Sequence, residues 1–305
     1  MEIKGILVSV LAPFENHIAN GGEKLLGNAS SIKRRPDGRV YVSGQMQRHV
    51  LFSAIDRLNN SDPQKGNTFV SNGDGTSNLI EDDLRADMGG FMHPTKGDYS
   101  GRRTGPLSVT PAVAMKVSEV GRDLLVRIKM DNSGTAKDQA LATKEYSEYD
   151  LMQMNFFLDI SSLSISKVFK YKNNYHLATK YFKHASDEER LRRAKLYLEA
   201  TRSMNDYANQ ARNAISGEPQ HVLIVFDNIL SRKASRYFTA NEIEQKNILS
   251  ELDDRKAIYF IGDDRTENNV AQAYKKALKF LQENILFDPS EGAEVQTFQQ
   301  VFGNE

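Results

Sequence analysis

A short β-type run ends in a glycine that opens a helix, directly behind a cluster of cations. The segment is Lys33-Arg34-Arg35-Pro36-Asp37-Gly38-Arg39-Val40-Tyr41-Val42-Ser43-Gly44-Gln45-Met46-Gln47-Arg48-His49. Beyond Gly44 the apolar positions Met46, Val50, Leu51, Ala54, Ile55 and Leu58 keep helical spacing, which predicts a helix from Ser43 or Gly44 to about Leu58. Its free amide N–H groups and positive dipole end face a loop that already carries Lys33, Arg34 and Arg35. Gln45, Arg48 and His49 fall on the polar side of its first turns. Backbone and side chains together form a phosphate site, and the repeating polyanion of nucleic acid is its natural ligand. Taken alone, the same residues also suit an ordinary Ser43 N-cap beside solvated cations.

The rest of the composition bears on that choice. A chain of 305 residues with 39% hydrophobic side chains can fill a packed core, which excludes global disorder. The absence of cysteine removes disulfides, thiolate zinc sites and cysteine nucleophiles, and suits a reducing compartment. Neither an N-terminal signal nor a long apolar run is present, so a cytoplasmic location is expected. Forty basic and forty acidic residues cancel, whereas a simple DNA binder is usually basic. The charges are segregated, however. Residues 32–48 hold Lys33, Arg34, Arg35, Arg39 and Arg48 against Asp37, and residues 96–103 hold Lys96, Arg102 and Arg103 against Asp98. Local basic grooves on a neutral body fit a subunit that also contacts copies of itself or other proteins.

Along the chain, residues 2–12 read as a largely buried strand, and a polar loop follows over 15–31. Residues 59–105 are rich in turn formers, including Asn72-Gly73-Asp74-Gly75 and Gly89-Gly90, and read as an insertion carrying function or forming a flap. Strand character returns over 107–117, and 124–130 alternates with Val126, Ile128 and Met130 on one face. A polar segment, 131–149, leads to a strand on which Met152, Met154, Phe156, Leu158 and Ile160 share a face. Ser186-Asp187-Glu188-Glu189 is a capping box for a helix expected to reach about Ile215. Residues 221–226 and 257–261 read as short buried strands, 266–284 as an amphipathic helix, and 286–305 as a loose C-terminal tail. Stripped of insertions, the order is βαββαβ. That predicts an α+β fold, a single ferredoxin-like or RRM-like palm over 1–305, with one open sheet face of the kind RNA often uses.

Three segments together resemble one family. Val40-Tyr41-Val42-Ser43-Gly44-Gln45 leading into Arg48 resembles the strand–Ser–Gly–helix signature of repeat-associated RNA-binding CRISPR proteins. Asp83-Leu84-Arg85-Ala86-Asp87-Met88-Gly89-Gly90-Phe91-Met92, followed by Arg102-Arg103-Thr104-Gly105-Pro106-Leu107-Ser108-Val109, resembles the paired signature of the backbone subunit of type I Cascade. Residues 149–161, from Tyr149 through Asp159-Ile160-Ser161, resemble the strand after that subunit's thumb. The chain is therefore similar to the Cas-seven family in its DevR-like branch, over residues 1–165.

The resemblance implies a non-catalytic subunit that polymerises along a CRISPR RNA as a helical filament and displays guide bases for pairing with target DNA. Its further partners would be the guide 5′-end cap subunit, the large and small subunits and the repeat-processing endonuclease, with no cofactor and no membrane. Carried over by position, Lys33, Arg34, Arg35, Gln45, Arg48 and His49 would hold the guide backbone. Arg102 and Arg103 would touch phosphates or line the target path. Residues 59–105 would be finger-like, and 131–149 would be a thumb hairpin with Lys137 and Lys144 as its cations.

Two other readings stay open. A nucleotide- or phosphate-binding enzyme could use the Gly44 turn, although GxxxxGK[ST] and GxGxxG are both missing. A DNA-binding transcriptional autoregulator could use Arg190, Arg192, Arg193 and Lys195, a cluster better explained as a solvated helix face. Asp82, Asp83, Asp87 and His93 show no metal-ligand spacing and read as a solvated loop. The loop after the first strand lacks the aspartate that related RNA-cutting subunits carry there, and Asp37 sits in a Pro-Asp-Gly turn.

Overall fold

The computed structural model describes residues 1–20, 23–25, 29–73, 77–92, 102–130 and 137–303, apart from the side chains of residues 92, 102, 127–130, 137–140, 170 and 171. The principal elements are β1 (Gly5–His17), α1 (Gly44–Ser61), α2 (Leu84–Gly89), β2 (Leu107–Val109), β3 (Ala112–Ala114), β4 (Val120–Met130) and β5 (Lys137–Asp159). They continue with β6 (Ile165–Lys172), β7 (Tyr175–Lys183), α3 (Asp187–Ala200), β8 (His221–Asp227), α4 (Glu242–Asp254), β9 (Ile258–Asp263) and α5 (Val270–Glu283).

β1 and β5 form the centre of a mixed α/β structure. They pair antiparallel from Gly5 opposite Asp159 to His17 opposite Ser147. β8 flanks β1, β9 flanks β8, and the short β2 and β3 flank β5 on the other side, each antiparallel. Alternation decides what faces where. Ile6, Val8 and Val10 of β1, Met152, Met154 and Phe156 of β5, and Val222, Ile224 and Phe226 of β8 are fully buried against α1, α3 and α5. Their opposite neighbours Leu7, Phe157, Leu223 and Val225 form a second cluster with Ala234, Ile248, Leu252 and Ala257. The sheet is thus covered on both faces. The open face expected for RNA is closed by α4 and residues 233–239, and Phe157, 3% exposed, is core.

The long hairpin is the largest departure from the expected core. β4 pairs along β5 from Met130 opposite Lys137 to Val120 opposite Ser147. One 23-residue strand, β5, is therefore hairpin arm at one end and central strand at the other. The alternation of 124–130 predicts a half-buried strand, yet Leu124, Val126 and Leu141 are 65%, 56% and 51% exposed. Of the segment 131–149, residues 131–136 lie outside the described residues, and the arms begin earlier, at Val120.

α3 ends at Ala200, well before Ile215. The Thr201 hydroxyl donates to the Leu198 carbonyl (2.7 Å) and the Ser203 hydroxyl to that of Glu199 (2.9 Å), which satisfies carbonyls of the last turn. Met204 and Tyr207 then drop into the core, pulling the chain off the helix axis. The C-terminal segment is docked, not loose. The Phe287 amide donates to the Ile3 carbonyl (2.9 Å), that of Gln296 to the Lys183 carbonyl (2.8 Å), and Phe298 packs edge-on against Phe91.

Candidate nucleic-acid interface

Ser43 caps α1 as its sequence predicts. Its hydroxyl accepts from the Met46 amide at 3.2 Å, its carbonyl from the Gln47 amide at 3.0 Å, and its own amide donates to Asn20 Oδ1 at 3.0 Å. The first turn carries no acidic residue, and the Gly44 and Gln45 amides have no intrahelical acceptor. Beside this helix end lies a cleft of about 580 Å³ lined by Asn20, Lys33, Ser43, Gln45, Arg48, His49, Ser71 and Arg85, and among the described residues no aspartate or glutamate is in the lining. A second cleft of about 420 Å³ shares Gln45 and Arg48 and reaches Gly44, Leu107 and Val109.

Two guanidiniums set the charge of the cleft. Arg48 Nη2 donates to the Gly89 carbonyl, and Arg85 Nε donates to the Ser71 carbonyl at 2.6 Å. Both approach the Phe52 ring, at 5.6 and 4.6 Å from its centroid. Neither forms an ion pair among the described residues, so backbone and ring contacts hold them without neutralising them. Burial lowers the basicity of Arg48; burial and then repulsion from Arg48 lower that of Arg85. An entering anion would relieve both costs. Sequence patterning does not single out Arg85, because it sits in a glycine-rich insertion 37 positions beyond Arg48; its place in Asp83-Leu84-Arg85 is the only signal.

The other expected contacts divide. Lys33, Gln45, Arg48 and His49 line the cleft. His49 also stands 3.9 Å from Asp206 at an exposed position. Arg34 is outside the lining: Nη2 pairs with Glu145 at 3.2 Å, and the same buried carboxylate holds Arg122 of β4, also at 3.2 Å. The pair of arginines ties the cationic loop to the base of the long hairpin. Arg35 belongs to the turn, its amide donating to the Arg39 carbonyl at 2.9 Å, while Asp37 accepts from the Arg39 guanidinium and amide. Lys144 lies on β5 opposite Asp123. The side chains of Arg102 and Lys137 lie outside the described residues, as does His93.

Arg103 is corrected from a phosphate contact to a buried structural cation. Its side chain is 6% exposed and pairs with Asp87 Oδ1 at 2.8 Å, while Nη1 donates to the Ile165 carbonyl and Nη2 to that of Ser162, both at 2.7 Å. Asp87 is no solvated loop residue either. It is fully buried and also takes Arg193 Nη1 (2.8 Å), the Ser164 hydroxyl (2.7 Å) and the Ser164 amide (2.8 Å). Burial opposes its ionisation, but Arg193 and Arg103 prevail and hold the carboxyl below its ordinary value. Of the cluster expected as a solvated basic face, the three arginines are likewise internal and Lys195 alone is exposed. Arg190 and Arg193 have fully buried side chains and Arg192 is 8% exposed. Arg190 donates to the carbonyls of Leu163, Ile160 and Phe287, and Arg192 bridges Asp62 and Glu189. The three arginines are therefore not on a helix face open to a duplex.

The paired glycine motif is explained by the same packing. Gly90 has φ +70°, and a Cβ there would overlap the Arg103 carbonyl; one on Gly105 would lie 2.5 Å from the Gly89 backbone. The two halves of the motif, 83–92 and 102–109, are pressed together backbone to backbone.

With this geometry in place, a family comparison is decisive. The family model described as "CRISPR-associated negative auto-regulator DevR/Csa2" matches residues 14–215. The chain belongs to the DevR/Csa2 family of CRISPR-associated proteins. No curated protein matches the sequence. Among solved structures, a chain titled "CRISPR RNA-guided surveillance complex" superposes with a TM-score of 0.54 at 14% identity, covering 90% of this chain and 99% of that one. Another, titled "CRISPR RNA-guided surveillance complex, pre-nicking", gives 0.51 at 11% identity, covering 91% and 99%. At such identity the likeness concerns the fold. The DevR/Csa2 match spans both motif halves, the cleft and the buried arginines. No helix among the described residues is long and apolar enough to cross a membrane.

Proposed function

We propose that this chain is a backbone subunit of a type I CRISPR surveillance complex, and that the cleft at the start of α1 holds the phosphates of the guide RNA. The observation that carries the reading is that Lys33, Arg48 and Arg85 meet a helix N-terminus lacking first-turn acids, with no carboxylate among the described lining residues. Contacts to phosphate position a strand without reading its sequence, as a subunit accepting any guide requires. Sequence is then left to base pairing with target DNA.

The strand order β8–β1–β5–β2/β3, with α1 and α3 as the crossovers, supports a ferredoxin-like palm. The β4–β5 hairpin is the thumb, its apolar side chains exposed for insertion into a neighbouring copy's strand, at a cost of order a few kcal/mol per unstacked step. Residues 59–105 are the finger-like insertion, with α2 folded back beside α1. The subunit holds RNA and does not cut it, works in the cytoplasm, and assembles with copies of itself and the other Cascade subunits. Arg34 and Arg35 contribute from the loop that Glu145 ties to the thumb, and Arg102, Lys137 and Lys144 are further candidate cations.

Sequencing the nucleic acid that co-purifies with the full chain tests the reading. RNA of uniform length carrying repeat-derived ends is expected, with the protein eluting as a large assembly. Protein free of RNA at normal yield, or bound to duplex promoter DNA, would overturn it.

A further inference from the structure

The second hairpin is a basic surface that the cleft does not use. From Ile160 to Ser186 the chain holds Lys167, Lys170, Lys172, Lys180 and Lys183 and no aspartate or glutamate. β6 and β7 pair with each other from Ile165 opposite Lys183 to Lys172 opposite Tyr175, and among the described residues their one further bridge is at the base, from Lys183 to Val295. Asn173 and Asn174 make the turn with φ of 50° and 65°, the two-residue geometry that continues strand twist.

The base of the ribbon is anchored. Ile165 is buried, and Lys183 pairs with Asp187 and Asp288 at 2.7 and 2.8 Å. Beyond that the ribbon stands in solvent, with Phe169, Leu177 and Tyr175 exposed by 48%, 62% and 77%. Lys167, Lys172 and Lys180 are exposed and form no ion pair among the described residues. The Lys167 ammonium lies 5.1 Å from the Phe169 ring centroid, and the His176 ring meets Phe169 edge-on at 5.9 Å. Across the paired strands Tyr175 shares a face with Lys172 and Lys180, while Phe169 and Lys167 lie on the opposite one. An exposed ring beside lysines without ion pairs combines a stacking platform with an electrostatic track. A duplex keeps its base faces covered, whereas an unpaired strand offers bases to the ring and phosphates to the lysines together.

We propose that the β6–β7 hairpin is a second nucleic-acid contact, which takes one single strand on the face that Tyr175 shares with Lys172 and Lys180, stacking a base on Tyr175 and meeting phosphates with the two lysines. It shares no residue with the cleft and rests on the guide-holding reading only for the class of partner.

The test uses the full chain as purified and fluorescence anisotropy with labelled oligo-dT and oligo-U. The variant K172A/K180A should lower the slope of log affinity against log salt by about 1.4, at roughly 0.7 per phosphate. Y175A should weaken binding by roughly 5-fold or more. Lysine-to-arginine replacements at the two positions should retain both. Co-purified RNA, held by the cleft, should be unchanged in all of them. If the parent carries no RNA the cleft reading fails, yet the anisotropy comparison still decides the hairpin. Unchanged affinity and slope in both variants would overturn the proposal. So would a change of assembly size at unchanged strand affinity, which would assign the ribbon to a protein contact.

Discussion

Replacing Asp87 by Asn should cost about 3–5 kcal/mol of folding stability, the range for removing one partner of a buried ion pair. Asp87 accepts from two guanidiniums and from both the hydroxyl and the amide of Ser164. Arg193 keeps Glu189 at 2.7 Å and the Ile80 carbonyl at 2.8 Å, and Arg103 keeps the carbonyls of Ile165 and Ser162 at 2.7 Å. The penalty falls on both guanidiniums, which lose the carboxylate they share. Removing one of the two charges as well, in D87N/R103M, should recover at least about 1 kcal/mol of the combined single-variant costs. Urea unfolding of the full chain at neutral pH reads all four corners of this cycle. The folded pKa of Asp87 is depressed, so its contribution is complete above the ordinary carboxylate value and is lost only as pH falls through the folded one; neutral pH is on the plateau. A D87N variant within about 1 kcal/mol of the parent, or a cycle with no coupling, would refute the placement of Asp87 as the hub of this cluster.

Other outcomes follow from single side chains. His184 is 1% exposed, with Nδ1 2.7 Å from the Gln296 carbonyl and Nε2 2.8 Å from the Ser166 hydroxyl, and burial lowers its pKa from 6.5 to about 4. The unfolded chain binds the extra proton first, so stability should fall from pH 6.5 toward 4 by up to about 3 kcal/mol; H184Q should lose that slope in thermal melts across pH. Gln45 is exposed in an acid-free first turn, so Q45E should raise helix stability by about 0.3–1 kcal/mol through the dipole while weakening RNA binding by repulsion. Paired melting and filter-binding assays would show these opposite signs; a loss of both would mean that Gln45 supports the fold instead.

The core was legible because alternation is a local signal. Met152, Met154 and Phe156 are buried as their spacing predicts, and Ser43, Gly44 and the apolar stripe to Leu58 locate α1 within a few residues. What escaped depends on long-range partners. Arg103, Arg190 and Arg193 look like surface cations until Asp87 and a set of carbonyls, distant in sequence, surround them. α4 carries a readable capping box, Asn241 with Glu244, but only Ile248 and Leu252 are buried on it, too sparse a stripe to stand out. The β6–β7 hairpin lacks polar/apolar alternation because both its faces meet solvent. In the cleft, Arg48 was legible from its helix, whereas Arg85 becomes part of the site only because α2 folds back to bring it beside Phe52.

The central claim is that this cleft grips RNA phosphates through Arg48 and Arg85. Its most direct test is the salt dependence of single-stranded RNA binding by the full chain against R48Q/R85Q, with melting curves confirming that both are folded. The account predicts that the slope of log affinity against log salt shrinks by about 1.4, at roughly 0.7 for each phosphate no longer neutralised, with affinity falling accordingly. A folded double variant with the parent's affinity and slope would contradict it.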